Sequence, residues 1–300
     1  MKKLGIWISA CRLRTLPLSI SGAIVGSGIA YSRGFFDGYV FAFTILTTLS
    51  FQILSNLAND YGDGVKGTDN ENRIGPERAL QSGDISPKQM RNAIIFNVMI
   101  SLFLAGGLIY IAFGSEQFVT SLVFMLLGLL AIIAAIKYTV GTSAYGYKAL
   151  GDVMVFLFFG WLSVLGTYFL YSKQVDVLML LPASSIGLLS AGVLNLNNMR
   201  DIESDKLSNK HTLAGYFGSK NAKTYHIVII TLALGLIGIY TSLMANNSMY
   251  VLLIAFVPLC FHLNNVRKIQ APKDYDPQLK ILALSTFFLS IVFSVCHSLI

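Results

Sequence analysis

The chain has 300 residues, of which 54% are hydrophobic and only 12% charged. Soluble domains carry about 25% charged residues, so this composition, with a mean hydropathy of +0.65, excludes an ordinary water-soluble fold and points to a membrane protein. The formal charge of +7 raises nucleic acid as a partner, and the placement of that charge along the chain removes it again.

Residues 1–14 begin with Lys2 and Lys3, continue through a short apolar run containing Trp7, and end on Arg12 and Arg14. The run is about seven residues, too short for a signal core. It reads as an interfacial amphipathic helix with Trp7 at the membrane surface. A span needs about 20 mostly apolar residues. Nine stretches qualify: 15–33, 38–59, 92–113, 118–137, 151–171, 177–198, 226–245, 249–265 and 279–299. Their connections alternate in length. Links 34–37, 114–117, 172–176 and 246–248 are short, the last a polar hairpin of Asn246, Asn247 and Ser248. Links 60–91, 138–150, 199–225 and 266–278 are long.

Of the 22 Lys and Arg residues, Arg33 and Lys173 alone fall on the short-link side, and the other 20 lie on the N-terminal arm, the long loops and the adjoining helix ends. Under the positive-inside rule the N-terminus and the long loops face the cytoplasm. The expected fold is an all-α polytopic membrane protein with nine transmembrane helices, one domain over 1–300, its N-terminus cytoplasmic. The basic charge is then a topology signal, and no nucleic-acid partner is expected. Cys11, Cys260 and Cys296 are far apart without CxxC spacing, and they read as apolar filler.

Twelve of the 15 acidic residues also lie on the long-loop side, where topology does not require them. The second span runs into Asn56-Leu57-Ala58-Asn59-Asp60-Tyr61-Gly62-Asp63. On a continuing helix, Asn56, Asp60 and Asp63 share one face. Asp69 follows after Gly64 and Gly67, which let the chain fold back. The sixth span ends in Asn197-Asn198-Met199-Arg200-Asp201-Ile202-Glu203-Ser204-Asp205, with Asn197, Asp201 and Asp205 again on one face. The element Asn-x₃-Asp thus occurs twice, each time at the loop-side end of an even-numbered span. Carboxylates gathered at membrane depth repel one another and resist desolvation. Divalent cations between them reverse that cost, and oxygen-only ligands suit Mg²⁺ bound together with phosphate oxygens. The pattern therefore predicts a diphosphate held through Mg²⁺.

Basic residues accompany both stripes: Lys66, Arg73, Arg78 and Lys88 after the first, Arg200, Lys206 and Lys210 with the second. Lys137 and Tyr138 end the fourth span, with Tyr145 and Lys148 beyond. Such side chains bind diphosphate oxygens and stabilise a departing diphosphate, and an apolar bundle supplies a slot for an isoprenoid chain. Isolated signals read more plainly. Asp152 and Asp276 read as solvated helix-end residues, and Lys223, Arg267 and Lys268 as topology signals. His211, His226, His262 and His297 show no ligand spacing and receive no role. Arg14 is either a positive-inside residue or a ligand for an acceptor carboxylate. An alternative class, a divalent-cation transporter, requires acidic residues near mid-span, and none stands there.

These motifs resemble the UbiA superfamily of intramembrane prenyltransferases over nearly the whole chain, and within it the 1,4-dihydroxy-2-naphthoate polyprenyltransferase branch. The resemblance is carried by Arg12 to Pro17, Asn56 to Asp69, Arg73 to Arg78 (RIGPER), Lys137 to Asp152 (KYTVGTSAYGYKALGD) and Asn197 to Leu213. The hydroxybenzoate branch more often has an Asp where this chain has Gly64. The resemblance implies that Asn56, Asp60, Asp63, Asn197, Asp201 and Asp205 bind the Mg²⁺–diphosphate, with Asp69 a further metal candidate. It implies that Arg73, Arg78, Lys137, Lys148, Arg200 and Lys210 contact substrate or diphosphate, and that Tyr138 lines the pocket of the allylic cation. The catalytic loops would be about 56–91 and 197–225. The implied reaction transfers a polyprenyl group from its diphosphate to dihydroxynaphthoate with loss of CO₂, giving demethylmenaquinone. Another aromatic acceptor such as 4-hydroxybenzoate is the alternative. The implied setting is the bacterial cytoplasmic membrane, with the active site facing the cytoplasm, the lipid bilayer around it and no protein partner. One departure stands out. The family usually has Gly-Lys-x-Thr-Leu-Ala after the second motif, where this chain has Asn209-Lys210-His211-Thr212-Leu213-Ala214.

Overall fold

The structure is a computed structural model that describes residues 2–69, 74–244 and 247–299. Arg73 and Asn246, both named above, lie outside the described residues. The elements are α1 (Lys2–Ala10), α2 (Leu16–Ser32), α3 (Gly38–Lys66), α4 (Pro87–Phe113), α5 (Phe118–Lys137), α6 (Gly151–Ser172), α7 (Leu180–Arg200), α8 (Ile202–Leu207), α9 (Leu213–Met244), α10 (Phe256–Lys268) and α11 (Tyr275–Ser298). Nine helices among the described residues are long and apolar enough to cross a membrane, as the sequence pattern requires, and the chain is a multi-pass membrane protein.

Local chemistry sets the helix ends. The Asp37 carboxylate accepts the backbone N–H groups of Tyr39 and Val40 and starts α3. Gly67, at φ +74°, ends it in a left-handed turn. Ser86 and Gln89 form a capping box at the start of α4. The helices depart from expectation in several places, and three of them shape the site or its surroundings. Helix α3 does not stop near residue 59 but carries the Asp-rich motif two turns further, to Lys66. Helix α9 begins at Leu213, so most of the expected 199–225 loop is helical, with a break at Gly218. Residues Phe156–Gly166 of α6 form wide π-helical turns, and Asn247–Ala255 ahead of α10 are 3₁₀-helical.

Helix α2 is the centre of the bundle, with 61% of its span buried against 6% for α5. It packs on α3, α6, α7 and α11; α5 packs on α3 and α4. Lipid offers helices no hydrophobic incentive to associate, so close backbone approach matters. A Cβ at Gly26 would lie 2.5 Å from the Val164 carbonyl oxygen of α6, and one at Gly187 of α7 would lie 2.7 Å from that of Phe156. Buried polar pairs add to this. The Nε2 atoms of His226 and His262 are 2.9 Å apart, and His262 Nδ1 donates to Gln278 Oε1 at 2.9 Å, joining α9, α10 and α11. His297 meets the Tyr240 hydroxyl at 3.1 Å. Three histidines without ligand spacing are thus interhelical hydrogen-bonding groups. Asp152 is not a solvated helix end: it is 4% exposed and accepts a hydrogen bond from Tyr225 at 3.4 Å.

Candidate active site

A cavity of about 560 Å³ opens at the loop-rich end of the bundle and runs inward between α2, α3, α5, α6 and α7. Its interior is apolar, with Phe51, Phe158, Phe159, Leu162 and Leu194 among the walls. Its mouth is polar. Asn56, Asn59, Asp63 and Asp69 reach it from the first motif, and Asn197, Arg200, Asp201, Asp205 and Lys210 from the second. Arg14, Arg78 and Tyr138 also line it. The two motifs, far apart in sequence, therefore share one mouth.

Helical rotation sorts the first motif. At 3.6 residues per turn, Asp60 sits about 60° round the helix from Asp63. Asn59, passed over in the sequence, takes the cavity-facing place with Asn56 and Asp63. Asp60 does not line this cavity, contrary to expectation. It is 1% exposed, forms an ion pair with Arg12 and lies 3.5 Å from the Arg78 guanidinium. These groups line a second chamber of about 330 Å³, roofed by Ile8 to Ala10 of α1 and by Pro76 to Ala79. Arg12, Arg14 and Arg78 line both chambers. The Asn56 amide nitrogen donates to the Cys11 carbonyl at 2.9 Å and holds the turn that joins α1 to α2.

The second motif breaks at Asp201 (φ −101°, ψ 12°), between α7 and α8. The backbone N–H of Asp205 still donates to the Asp201 carbonyl at 2.8 Å, so the four-residue spacing survives the break. Arg200, 2% exposed, is the hub of this motif. It donates to both carboxylate oxygens of Asp201 at 2.8 and 2.7 Å, to Asp276 at 2.5 Å and to Asn197 at 2.9 Å. Asp276, read from sequence as a solvated residue, is thus a partner of the site. The Lys210 ammonium lies 3.2 Å from Asp205 Oδ1. Burial pushes the Lys210 pKa down, but Asp63 and Asp205 outweigh it and keep the ammonium charged well above its ordinary range. Burial pushes the Asp205 carboxyl up to about 6, and Lys210 offsets this only in part. Asn209 stands at φ +53° where the resembled motif has Gly. Asn tolerates this left-handed turn better than most residues, so the departure keeps the backbone course that presents Lys210.

The link between α5 and α6 clamps the two motifs together. Tyr147 donates to Asp63 Oδ1 at 2.8 Å, and the Thr68 hydroxyl sits 2.6 Å from the Tyr147 oxygen. The Lys66 ammonium lies 3.9 Å from the centroid of the Tyr147 ring. The N–H of Ala149 donates to the His211 carbonyl at 2.8 Å, beside Lys210. Tyr138 packs edge-on to Tyr145 at 5.3 Å. Gly146 is needed there, since a Cβ would lie 2.6 Å from the Tyr138 carbonyl oxygen. The side chains of Lys137 and Lys148 are exposed and outside the lining of the mouth. Lys137 ends α5 and Lys148 lies in the link that follows, each on an outward face. Tyr147 carried a signal in the sequence, the YGY run, but no charge to single it out.

Among the described residues, no three His, Cys, Asp or Glu side chains come together closely enough to hold an ion by themselves. Asp205 Oδ2 is buried without a hydrogen-bond partner, a carboxylate oxygen with unused accepting capacity at the mouth. Hard oxygen donors from carboxylates and amides, too few to enclose an ion, suit Mg²⁺, which takes the rest of its shell from phosphate and water. The residues fit on those terms.

The profile of the UbiA prenyltransferase family matches residues 19–292. The chain is 40% identical over 298 residues to the 1,4-dihydroxy-2-naphthoate octaprenyltransferase of Haemophilus influenzae, covering 98% of this chain and 96% of that one. It is 45% identical over 224 residues to the enzyme of that name from Escherichia coli K12, covering 75% and 72%. Among solved structures, a UbiA homolog from Archaeoglobus fulgidus bound to DMAPP and Mg²⁺ superposes with a TM-score of 0.66 at 17% identity, covering 97% of this chain and 99% of that one. The apo UbiA homolog from Aeropyrum pernix K1 gives 0.68 at 14% identity, covering 94% and 96%. With a family profile over nearly its whole length, and with both halves of the mouth in place, the chain belongs to the UbiA prenyltransferase family.

Proposed function

We propose that this protein transfers a polyprenyl group from polyprenyl diphosphate to 1,4-dihydroxy-2-naphthoate, acting as one unit in a bacterial cytoplasmic membrane with its mouth toward the cytoplasm. The geometric observation that carries the reading is a single cavity with a carboxylate, amide and guanidinium mouth and an apolar interior. The choice of naphthoate rests on the names of relatives that match most of the chain.

In this reading Asp63, Asp69, Asp201 and Asp205, with Asn59 and Asn197, are the residues that would hold Mg²⁺ together with the diphosphate. Asp60 joins them if it leaves its arginines. The bound ion would supply charge stabilisation to the departing diphosphate. Lys210 and Arg200 add fixed positive charge on the same side. The allylic C–O bond breaks with its electron pair leaving on the diphosphate, and the ring of the acceptor forms the new C–C bond. Its carboxylate departs as CO₂ and leaves its electron pair on the ring. The ring proton displaced by the prenyl group is balanced by the one taken up where CO₂ leaves, so both hydroxyls remain and the product is the quinol form of demethylmenaquinone. Tyr138 and the apolar walls keep water from the cationic carbon. Arg14, with Arg12 and Arg78 beside it, offers guanidinium groups to the acceptor's carboxylate as it enters.

The test is prenyl transfer by purified protein offered dihydroxynaphthoate and 4-hydroxybenzoate with Mg²⁺, with products identified by mass spectrometry. Prenylated naphthoquinol is the expected product, and Asp63→Ala and Asp201→Ala should each abolish it while remaining folded. A prenylated hydroxybenzoate alone would reassign the acceptor, and near-normal turnover in either variant would sink the two-motif site.

A further inference from the structure

Asp60 belongs to the first motif yet stands outside the cavity that the rest of the motif lines. It is 1% exposed, and its Oδ1 atom serves two guanidinium groups at once, Arg12 in an ion pair and Arg78 at 3.5 Å. Both arginine side chains are themselves largely buried. Arg12 holds its place at φ +50°, a left-handed backbone that few non-glycine residues adopt, and its Nε is buried without a hydrogen-bond partner. Side chains fix that turn. The Asn56 amide nitrogen donates to the Thr15 hydroxyl at 3.2 Å as well as to the Cys11 carbonyl, and the Thr15 hydroxyl donates to the Arg12 carbonyl at 2.9 Å. The smaller chamber sets three arginines, Arg12, Arg14 and Arg78, against two acids, Asp60 and Glu77. The same arginines also line the main cavity, whereas Asp60 lines the smaller chamber alone. The border between the chambers is thus built of guanidinium groups whose counter-charge is a carboxylate of the first motif.

We infer that Asp60 is an exchangeable counter-ion: it occupies Arg12 and Arg78 until the donor binds, and its transfer to the Mg²⁺–diphosphate side frees them for the carboxylate of the acceptor. This rests on the prenyl-transfer reading above and couples the binding of the two substrates. One carboxylate cannot serve both sides. Taking it from two buried guanidinium groups without replacement leaves them unpaired, which is strongly disfavoured. An incoming carboxylate restores the pairing, charge for charge and with the planar fork that guanidinium matches. The chambers share a wall, and Asp60 stands about 60° round α3 from Asp63, so the exchange asks for a change of rotamer and not of fold. By reciprocity, the acceptor's carboxylate favours donor binding by the same factor by which the donor favours it.

The experiment measures binding, without turnover. Purified wild type and Asp60→Asn are titrated with 1-hydroxy-2-naphthoate, with and without Mg²⁺ and inorganic diphosphate, and with 1-naphthol as the counterpart that lacks the carboxylate. Coupling between sites typically changes affinity by about tenfold. In wild type, Mg²⁺ with diphosphate should tighten hydroxynaphthoate binding by that order and leave naphthol binding unchanged. Asp60→Asn should bind hydroxynaphthoate that tightly with no Mg²⁺ present. Arg12→Gln, a second variant if the first does not fold, should lower hydroxynaphthoate binding to the level of naphthol under both conditions. Three results overturn the proposal. One is a wild-type affinity that ignores Mg²⁺ and diphosphate although both bind. Another is an Asp60→Asn affinity no tighter than that of ligand-free wild type. The third is a carboxylate preference that survives in Arg12→Gln. If Mg²⁺ and diphosphate do not bind wild type at all, the proposed function itself fails, and this proposal with it.

Discussion

The phenol of Tyr147 donates a hydrogen bond to Asp63 at 2.8 Å, so the link between α5 and α6 reaches across the mouth and holds a carboxylate of the first motif. The bond fixes Asp63 Oδ1 and with it the rotamer of the side chain that lines the mouth. A hydrogen bond to a charged group contributes roughly 1.5–3 kcal/mol. Tyr147→Phe should therefore lower kcat/KM about tenfold or more and raise the Mg²⁺ concentration needed for half-maximal rate. Steady-state rates across a Mg²⁺ titration check this, and an unshifted Mg²⁺ midpoint would count against the clamp.

The Asp205 carboxyl is pushed up to about 6 by burial, with Lys210 opposing in part. A raised pKa means that the proton stays on to higher pH. Oxygen ligands bind cations only when deprotonated, so protons compete with Mg²⁺ as pH falls through about 6. The wild-type Mg²⁺ requirement should rise between about pH 7.5 and pH 5. In Asp205→Asn that pH-dependent part should vanish from whatever activity remains. A flat requirement in wild type would exclude Asp205 as a ligand.

Arg200 is 2% exposed and partners Asp201, Asp276 and Asn197. Removing one member of a buried ionic network leaves the others unpaired at a cost of about 3–5 kcal/mol. Arg200→Ala should lower the thermal midpoint in detergent by several degrees and abolish transfer. Arg200→Lys should not restore it, because one ammonium cannot span the positions that the planar guanidinium reaches. Full rescue by Lys would show that charge alone is needed.

At Gly146 a Cβ would sit 2.6 Å from the Tyr138 carbonyl oxygen. Gly146→Ala should force that strand of the link outward, at about 1–3 kcal/mol of overpacking. Its effect on transfer should exceed its effect on melting, since the displaced link carries Tyr138 and Tyr145 in the lining of the mouth and Tyr147 against Asp63. Comparable activity in folded Gly146→Ala would show that the link tolerates movement.

Much of this protein was legible in its amino-acid order. The count of nine spans follows from the length of apolar runs, because the bilayer imposes one length on all of them. The repeated Asn-x₃-Asp element marked both halves of the mouth, because a charged stripe at a membrane helix end is costly without a ligand. Even Asn209 was visible as a departure, and its φ of +53° explains why the replacement is tolerated. What only the tertiary structure decided is which neighbour each polar group faces. Asp60 turns to Arg12 and Arg78, while Asn59, one residue earlier, faces the cavity. Asp276 and Asp152, plain helix-end acids in sequence, are partners of Arg200 and Tyr225. Tyr147, with no charge of its own, ties the first motif to the link that meets the second. Phe113, Phe124 and Phe169 belong to three separate helices, and no local pattern records that they meet. Spans are set by solvent, which acts on each segment alone; a mouth is set by packing, which exists only between segments.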